Sequence, residues 1–520
     1  MTQTNSICGK LISRIVSLTS MVLILASASF SLQSAVPQSG TASQPQNAAL
    51  PLTTKSAVAR HLAEKAIALD LDRVEQTQAI ELLRKAVALD PNFAMGHELL
   101  AQVSLNSAEQ VEEQKLAFAT RSHTSSGEQT LIEWYQDATD HNLLSAITKM
   151  NDVLSQYPND KSVVWMMTWW LTTQAQFDRS IEVYERSGIT DSPGLMNNMG
   201  YNYAYVRRFD KAFAEMDKYV AALPNDSNPL DSYAEILRLA GRFDQAIEHY
   251  RASLAINPQF YSSQFGIADT YSLMGDQARA RREYEVGFKK FALPEQQQVL
   301  WKTREAETFI REGDFDWADR AFQAIADDAH AQHVSLTEAD TYRQMAMYQT
   351  DPDRAATLLD KADAAVKAGE HARKDALRQQ SAQILRARVE LALKTGNKKV
   401  AKAKLEELAA MADDESDKLI SLAYNGADGA MLASEQKYAQ AIDHLEEDIN
   451  NPMSLKLLIS AYEHVGDKQA AQRTADVLSS MNDPSLEQAM VVPGFRKCAQ
   501  DPACSGNVKS AAMPVAPHTL

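Results

Sequence analysis

Histidine and acid pairs at helical spacing, and two neighbouring cysteines, are where chemistry is sought first in this 520-residue sequence. His97-Glu98 starts like a helical zinc-ligand pair, but Leu-Leu-Ala follows and the second histidine is missing. His330 and His333 stand one helical turn apart, the spacing of a shared metal ion. No cysteine or third histidine has ligand spacing nearby, so they read as a solvated helix end. Asp413-Asp414-Glu415 reads as a charged loop, because with 68 acids two adjacent carboxylates say nothing about glycosidase chemistry. Phosphate loop, dinucleotide fingerprint and nucleophile elbow are all missing, and no cofactor or metal is expected. Cys498 and Cys504 have five residues between them, which is not the spacing of a C-x-x-C redox pair. In an oxidising compartment they read most simply as a local disulfide; two free thiols are the other reading.

Whatever such residues do, helices must position them. Glycine (19) and proline (17) are sparse, the prolines fall between helical segments, and hydrophobic residues make up 45% of the chain. That composition belongs to an all-helical fold and disfavours architectures built on many tight turns. The stretch 196–258 duplicates itself: Tyr203 falls on Leu237, Phe209 on Phe243, Ala212 on Ala246 and Pro224 on Pro258, each pair 34 residues apart. The small-residue position recurs at Ala79, Ala146, Ser180, Ala212, Ala246 and Ala280, placed where a neighbouring helix must approach closely. A fixed period with two helical patterns per unit is the signature of stacked helix pairs. Residues 94–130 are less regular, and HTSSGEQ breaks the period there.

Residues 127–294 resemble the tetratricopeptide repeats, a 34-residue helix–turn–helix family. Met199, Gly200, Tyr203, Ala212 and Pro224 match its pattern in one unit, and Ile267, Ala268, Tyr271, Ala280 and Tyr284 in another. KAVALDPNFA and LRLAGRFDQAIEHYRASLAINP are similar to repeats common in large bacterial members. The resemblance implies a right-handed superhelical solenoid over residues 56–295. From 296 to 481 the phrase of glycine, then alanine five residues on, persists at Gly313/Ala318, Gly396/Ala401 and Gly466/Ala471. Ala355 with Leu359 and Ala441 with Leu445 are weaker copies, so the second half reads as degenerate hairpins that are irregular in length. A separate C-terminal helical domain is the alternative. Periodicity stops at Asn482, and 482–520 reads as a tail holding the two cysteines.

The N-terminal end reads as a targeting segment. Lys10 and Arg14 precede an apolar run over 15–26, which ends in Ala26-Ser27-Ala28. Residues 1–28 are expected to be a signal peptide, cleaved or kept as an anchor, and 29–55 a flexible linker. The expected location is exported, periplasmic or secreted, with no transmembrane span in the mature chain. The net charge of −16 weighs against nucleic acid as a partner.

Function, on this reading, lies in a groove. In the family the first helix of each hairpin lines the concave surface, and carrying that register over nominates ten residues. They are Trp165 and Trp169; Asn197, Tyr201 and Tyr205; Asp231, Glu235 and Arg238; and Phe265 and Asp269. For the tryptophans and tyrosines, packing between helices is the competing reading. The acids disfavour a C-terminal carboxylate, so a basic or apolar peptide is the expected ligand. A non-enzymatic protein- or peptide-binding scaffold is the leading function; an enzyme with its site in the C-terminal half is the alternative.

Overall fold

Helix starts are written into the side chains. Asp160 accepts from the Ser162 and Val163 amides, and Ser125 and Glu128 cap each other's backbone reciprocally. Asp314, Asp417, Asn451 and Asp467 likewise cap the helices that follow them. Hairpin turns depend on a left-handed residue. Gly241, Gly275, Gly313, Gly396 and Gly466 have φ between 73° and 95°, each five residues before the buried small residue of the second helix. Ala175, Arg207 and Gln436 hold the same position with φ of 54°, 59° and 63°, where a side chain is strained. Gln436→Gly, at an exposed site, is expected to stabilise the protein by about 0.5–1 kcal/mol in urea unfolding; an unchanged or lower midpoint would count against that strain.

The computed structural model describes residues 49–500 apart from 74, 141, 294, 370–371 and 413–416. The predicted signal segment and most of the predicted linker lie outside the described residues, as does Cys504. Twelve hairpins follow one another among the described residues. The first four are α1 Ala57–Arg73 with α2 Gln76–Leu89, α3 Ala94–Val103 with α4 Ser107–Thr120, α5 Ser126–Thr139 with α6 Leu143–Gln156, and α7 Lys161–Thr173 with α8 Phe177–Ser187. The next four are α9 Pro193–Tyr205 with α10 Phe209–Ala222, α11 Ser227–Leu239 with α12 Phe243–Ile256, α13 Tyr261–Met274 with α14 Gln277–Lys290, and α15 Glu295–Glu312 with α16 Phe315–Ala331. The last four are α17 Ser335–Tyr348 with α18 Pro352–Lys367, α19 Lys374–Lys394 with α20 Lys398–Ala412, α21 Lys418–Ser434 with α22 Tyr438–Leu445, and α23 Pro452–Val465 with α24 Lys468–Ser479. A single helix, α25 Leu486–Gln500, completes the set.

The result is an all-α solenoid. Each hairpin packs on the next, and the odd-numbered helices line the inside. The small-residue positions are buried throughout, from Ala79 to Ala471. Ser180, the one serine among them, donates to the Thr168 carbonyl at 2.9 Å, so helix contact leaves no orphan hydroxyl. The irregular stretch 94–130 contains a full hairpin, α3/α4, and a short 3₁₀ turn over Arg121–His123.

Two expected boundaries change. Residues 49–55 belong to an ordered strap rather than to a flexible linker. The Leu50 amide donates to Asp160 at 2.7 Å and the Thr53 amide to Glu128 at 2.7 Å. Thr54 Oγ1 and the Lys55 amide donate to Asp90 at 2.5 and 3.1 Å. Residues 482–500 are no tail either, because α25 packs on α15, α23 and α24 and shares a core with α17 and α19. Composition misled in both places: seven residues of strap and one aperiodic helix carry no repeat signal.

The solenoid also closes on itself. α1 crosses to α9, where a Cβ on Gly194 would stand 1.6 Å from the Leu71 carbonyl oxygen, an approach only glycine permits. Leu419 and Leu422 of α21 pack on Phe177, and Lys374 pairs with Asp140 at 2.6 Å. Asn482 donates to the Leu239 carbonyl at 3.3 Å.

Candidate functional site

The ten nominated residues come from α7, α9, α11 and α13, four inner helices, and closure of the solenoid puts most of them inside. Tyr201 is fully buried and donates to Glu235 at 2.7 Å. Asn197 and Phe265 are fully buried as well, Phe265 stacked on Trp301 at 4.6 Å. Tyr205 is half-buried, sandwiched between Phe177 and Tyr201 with ring centroids 4.8 and 6.4 Å away. For these side chains the packing reading prevails over the open-groove one. An inner helix face looks the same in sequence whether it meets solvent or the returning end of the chain.

The acids of the face are engaged rather than presented. Asp231 accepts from Ser263 at 2.6 Å, and Glu235 pairs with Arg238 at 2.9 Å. Arg238 also reaches Asp269 at 3.3 Å and donates to the Tyr250 hydroxyl at 3.2 Å. Asp269 accepts from Tyr284. Burial opposes the Arg238 charge, but Tyr250, Glu235 and Asp269 more than offset it and hold the guanidinium above its ordinary value. These carboxylates are thus held inside the face, Glu235 and Asp269 by Arg238 and Asp231 by Ser263, rather than turned towards a ligand.

The network continues beyond the nominated residues. Arg304 pairs with Glu307 at 3.1 Å, Arg343 with Asp340 at 2.8 Å, and Arg386 with Asp448 and Glu390 at 2.8 and 2.9 Å. The segment 481–500 runs past all three arginines: Asp483 faces Arg304 and Arg238, and Glu487 lies 3.7 Å from Arg343. Sequence reasoning missed this column. The available signal was an arginine on the inner helix of three successive C-terminal hairpins, each with an acid three or four residues away.

What stays accessible is the N-terminal part of the inner face. Trp165 and Trp169 are half-buried, stacked in parallel with centroids 5.9 Å apart and 5° between planes. On the adjoining ridge of α7, Ser162 and Met166 help line an open cleft of about 600 Å³. Met95, Leu99 and Ile67 supply apolar lining, Arg60, Glu64 and Asp160 its charges, and strap residues 49–53 one wall. His97, the other early candidate, is buried between Glu113 and the Pro91 carbonyl at 2.6 and 3.0 Å. Glu98 points elsewhere and is fully buried; burial pushes its carboxyl up to about 8 despite the hydrogen bond from Gln102. His330 lies 3.0 Å from Glu338 on the surface.

No protein-family model matches the chain, and no curated protein matches it. Solved structures with similar helical repeats include a tetratricopeptide repeat protein from Parabacteroides merdae, 14% identical, covering 59% of this chain and 99% of that one, with a TM-score of 0.35. Yeast Tom70 is 14% identical, covering 87% of this chain and 99% of that one, TM-score 0.35. The human IFIT1 dimer with m7Gppp-AAAA is 13% identical, covering 73% and 96%, TM-score 0.35. At these values they say nothing about the activity of this chain. Its own 34-residue spacing, its stacked hairpins and its recurring turn-plus-small-residue pattern make it, by fold, a tetratricopeptide-like helical-repeat protein.

Proposed function

We propose that this protein is a non-catalytic scaffold that binds a protein or peptide partner through its inner face, in an exported, periplasmic or secreted, setting. One observation carries the reading: the inner face already takes up polypeptide in cis in two forms, an extended strap at 49–55 and a helix at Leu486–Gln500. The strap is held through main-chain amides by Asp160, Glu128 and Asp90, which is sequence-independent recognition of an extended chain. On α7, whose capping residue Asp160 holds the strap, the stacked tryptophans offer large, rigid contact area with few rotors to freeze. Export is supported by the basic-then-apolar segment ending at Ala28, and the net charge of −16 speaks for a protein rather than a nucleic-acid partner.

A photo-crosslinking residue at position 169, in protein exposed to cell-envelope extract, is expected to capture one stoichiometric partner. Adding Trp165→Ala to that protein is expected to weaken the capture at least about tenfold, with the helical circular dichroism retained. Undiminished capture with Trp165→Ala would remove the tryptophan face from the site; no partner at all in extract would sink the scaffold reading.

A further inference from the structure

We propose that the inner channel bounded by α15, α17, α19 and α23 is a docking channel for amphipathic helices that carry an amide where this chain has Asp483 and an amide or basic residue where it has Glu487, with 481–500 as its displaceable occupant. The proposal rests on the scaffold reading and names the partner chemistry for it.

Shape comes first. Leu486, Ala489 and Val492 are buried at 2%, 3% and 0% exposure, one face of a helix at spacing of three. Their surroundings are inner helices: Ile310 of α15, Met345 of α17 and Ile384 of α19 around Leu486 and Ala489, and Leu458 of α23 in the cluster of Val492. So the channel takes apolar side chains at these three places and also closes over the polar side of the first turns, where Ser485, Glu487 and Gln488 are buried. The resident helix is a poor one, since Pro493 lies in its interior, followed by Gly494. Proline removes a main-chain donor and collides with the preceding turn, and glycine lowers helix propensity further. The channel imposes this helix; local preference does not.

Charge is the second ground. Asp483 enters a cluster of three buried arginines, Arg238, Arg304 and Arg311, already matched by three acids, Glu235, Asp269 and Glu307. Glu487 enters another, where Arg343 and Arg386 face Asp340, Glu390 and Asp448. Each carboxylate of the resident segment is thus one negative charge more than its surroundings can pair. A helix with an amide in place of Asp483, and an amide or a basic residue in place of Glu487, avoids that penalty. The titration agrees: desolvation pushes the Asp483 carboxyl up to about 7 against the pull of Arg304 and Arg238, and raises Glu487 too. An acid whose docked value exceeds its free value binds its proton in the docked state. Docking therefore weakens as pH rises from the ordinary carboxylate range through about 7.

Two measurements test this on the full chain. Hydrogen exchange near pH 7.5 is expected to show α25 amides at least about tenfold better protected in Asp483→Asn with Glu487→Gln than in the unaltered protein, the gap narrowing towards pH 5. A labelled 481–500 peptide carrying the same two replacements is expected to bind the unaltered protein at least about tenfold more tightly than the native peptide, and to raise exchange in α25 selectively. Equal or lower α25 protection in the double variant overturns the charge argument. Failure of the amide-substituted peptide to bind, or binding without loosening α25, overturns the docking channel. If capture at position 169 survives that result, this channel fails while the scaffold reading stands.

Discussion

Arg386→Met is expected to lower stability by about 3–5 kcal/mol, read as a fall in the urea midpoint, because it strands a buried carboxylate. Asp448 is fully buried and meets Arg386 Nη1 at 2.8 Å, while the guanidinium also donates to Glu390 and to Ser454 at 2.9 Å each. Ser454 in turn donates to Asp448 at 2.6 Å. Burial already raises the Asp448 carboxyl, Glu390 pushes it the same way, and Arg386 is the cation that opposes them. The single variant should therefore regain stability as the pH falls, since a protonated Asp448 no longer needs its partner. Arg386→Met with Asp448→Leu together should recover most of the loss, as apolar replacements of a buried pair usually do. Gly426 shows how tightly the pair is enclosed: a Cβ there would lie 2.5 Å from both Arg386 and Asp448. A single variant as stable as the unaltered protein would mean that water reaches the pair and that the channel is open.

Tyr201→Ala carries the second large effect, again about 3–5 kcal/mol, the range for deleting a buried aromatic ring. The ring has no exposure and stacks on Tyr205, and its hydroxyl donates to Glu235 at 2.7 Å. Tyr201→Phe isolates the hydrogen bond and should cost about 1–2 kcal/mol, since Glu235 keeps Arg238 as a partner. Thermal and urea unfolding of both variants check these values. Tyr201 is thus a stability position, whereas Trp165 and Trp169 are suited to a binding assay. Should Tyr201→Ala melt like the unaltered protein, the closed inner face would be wrong at its centre.

The contrast between these residues shows how far the sequence reaches. Tyr201 and Trp169 occupy the same inner-helix register and look equally eligible as groove residues. They part only because hairpins from the far end of the chain return over α9 and α11 and leave α7 half open. Arg304, Arg343 and Arg386 were visible as charges on inner helices, but a charged residue facing solvent and one paired in a channel are the same letter.

By itself the sequence determined the hairpin: its period, its buried small residue, its left-handed turn and its helix caps. All of these are contacts between neighbours, repeated often enough to be read as a pattern. Only the tertiary structure decided that the solenoid closes, that residues 49–55 form a strap, and that 481–500 fills the channel. Closure sums small rotations over twelve hairpins of unequal length, so no local pattern encodes it. The two segments that seal the inner face occur once each, and what occurs once leaves no period to find.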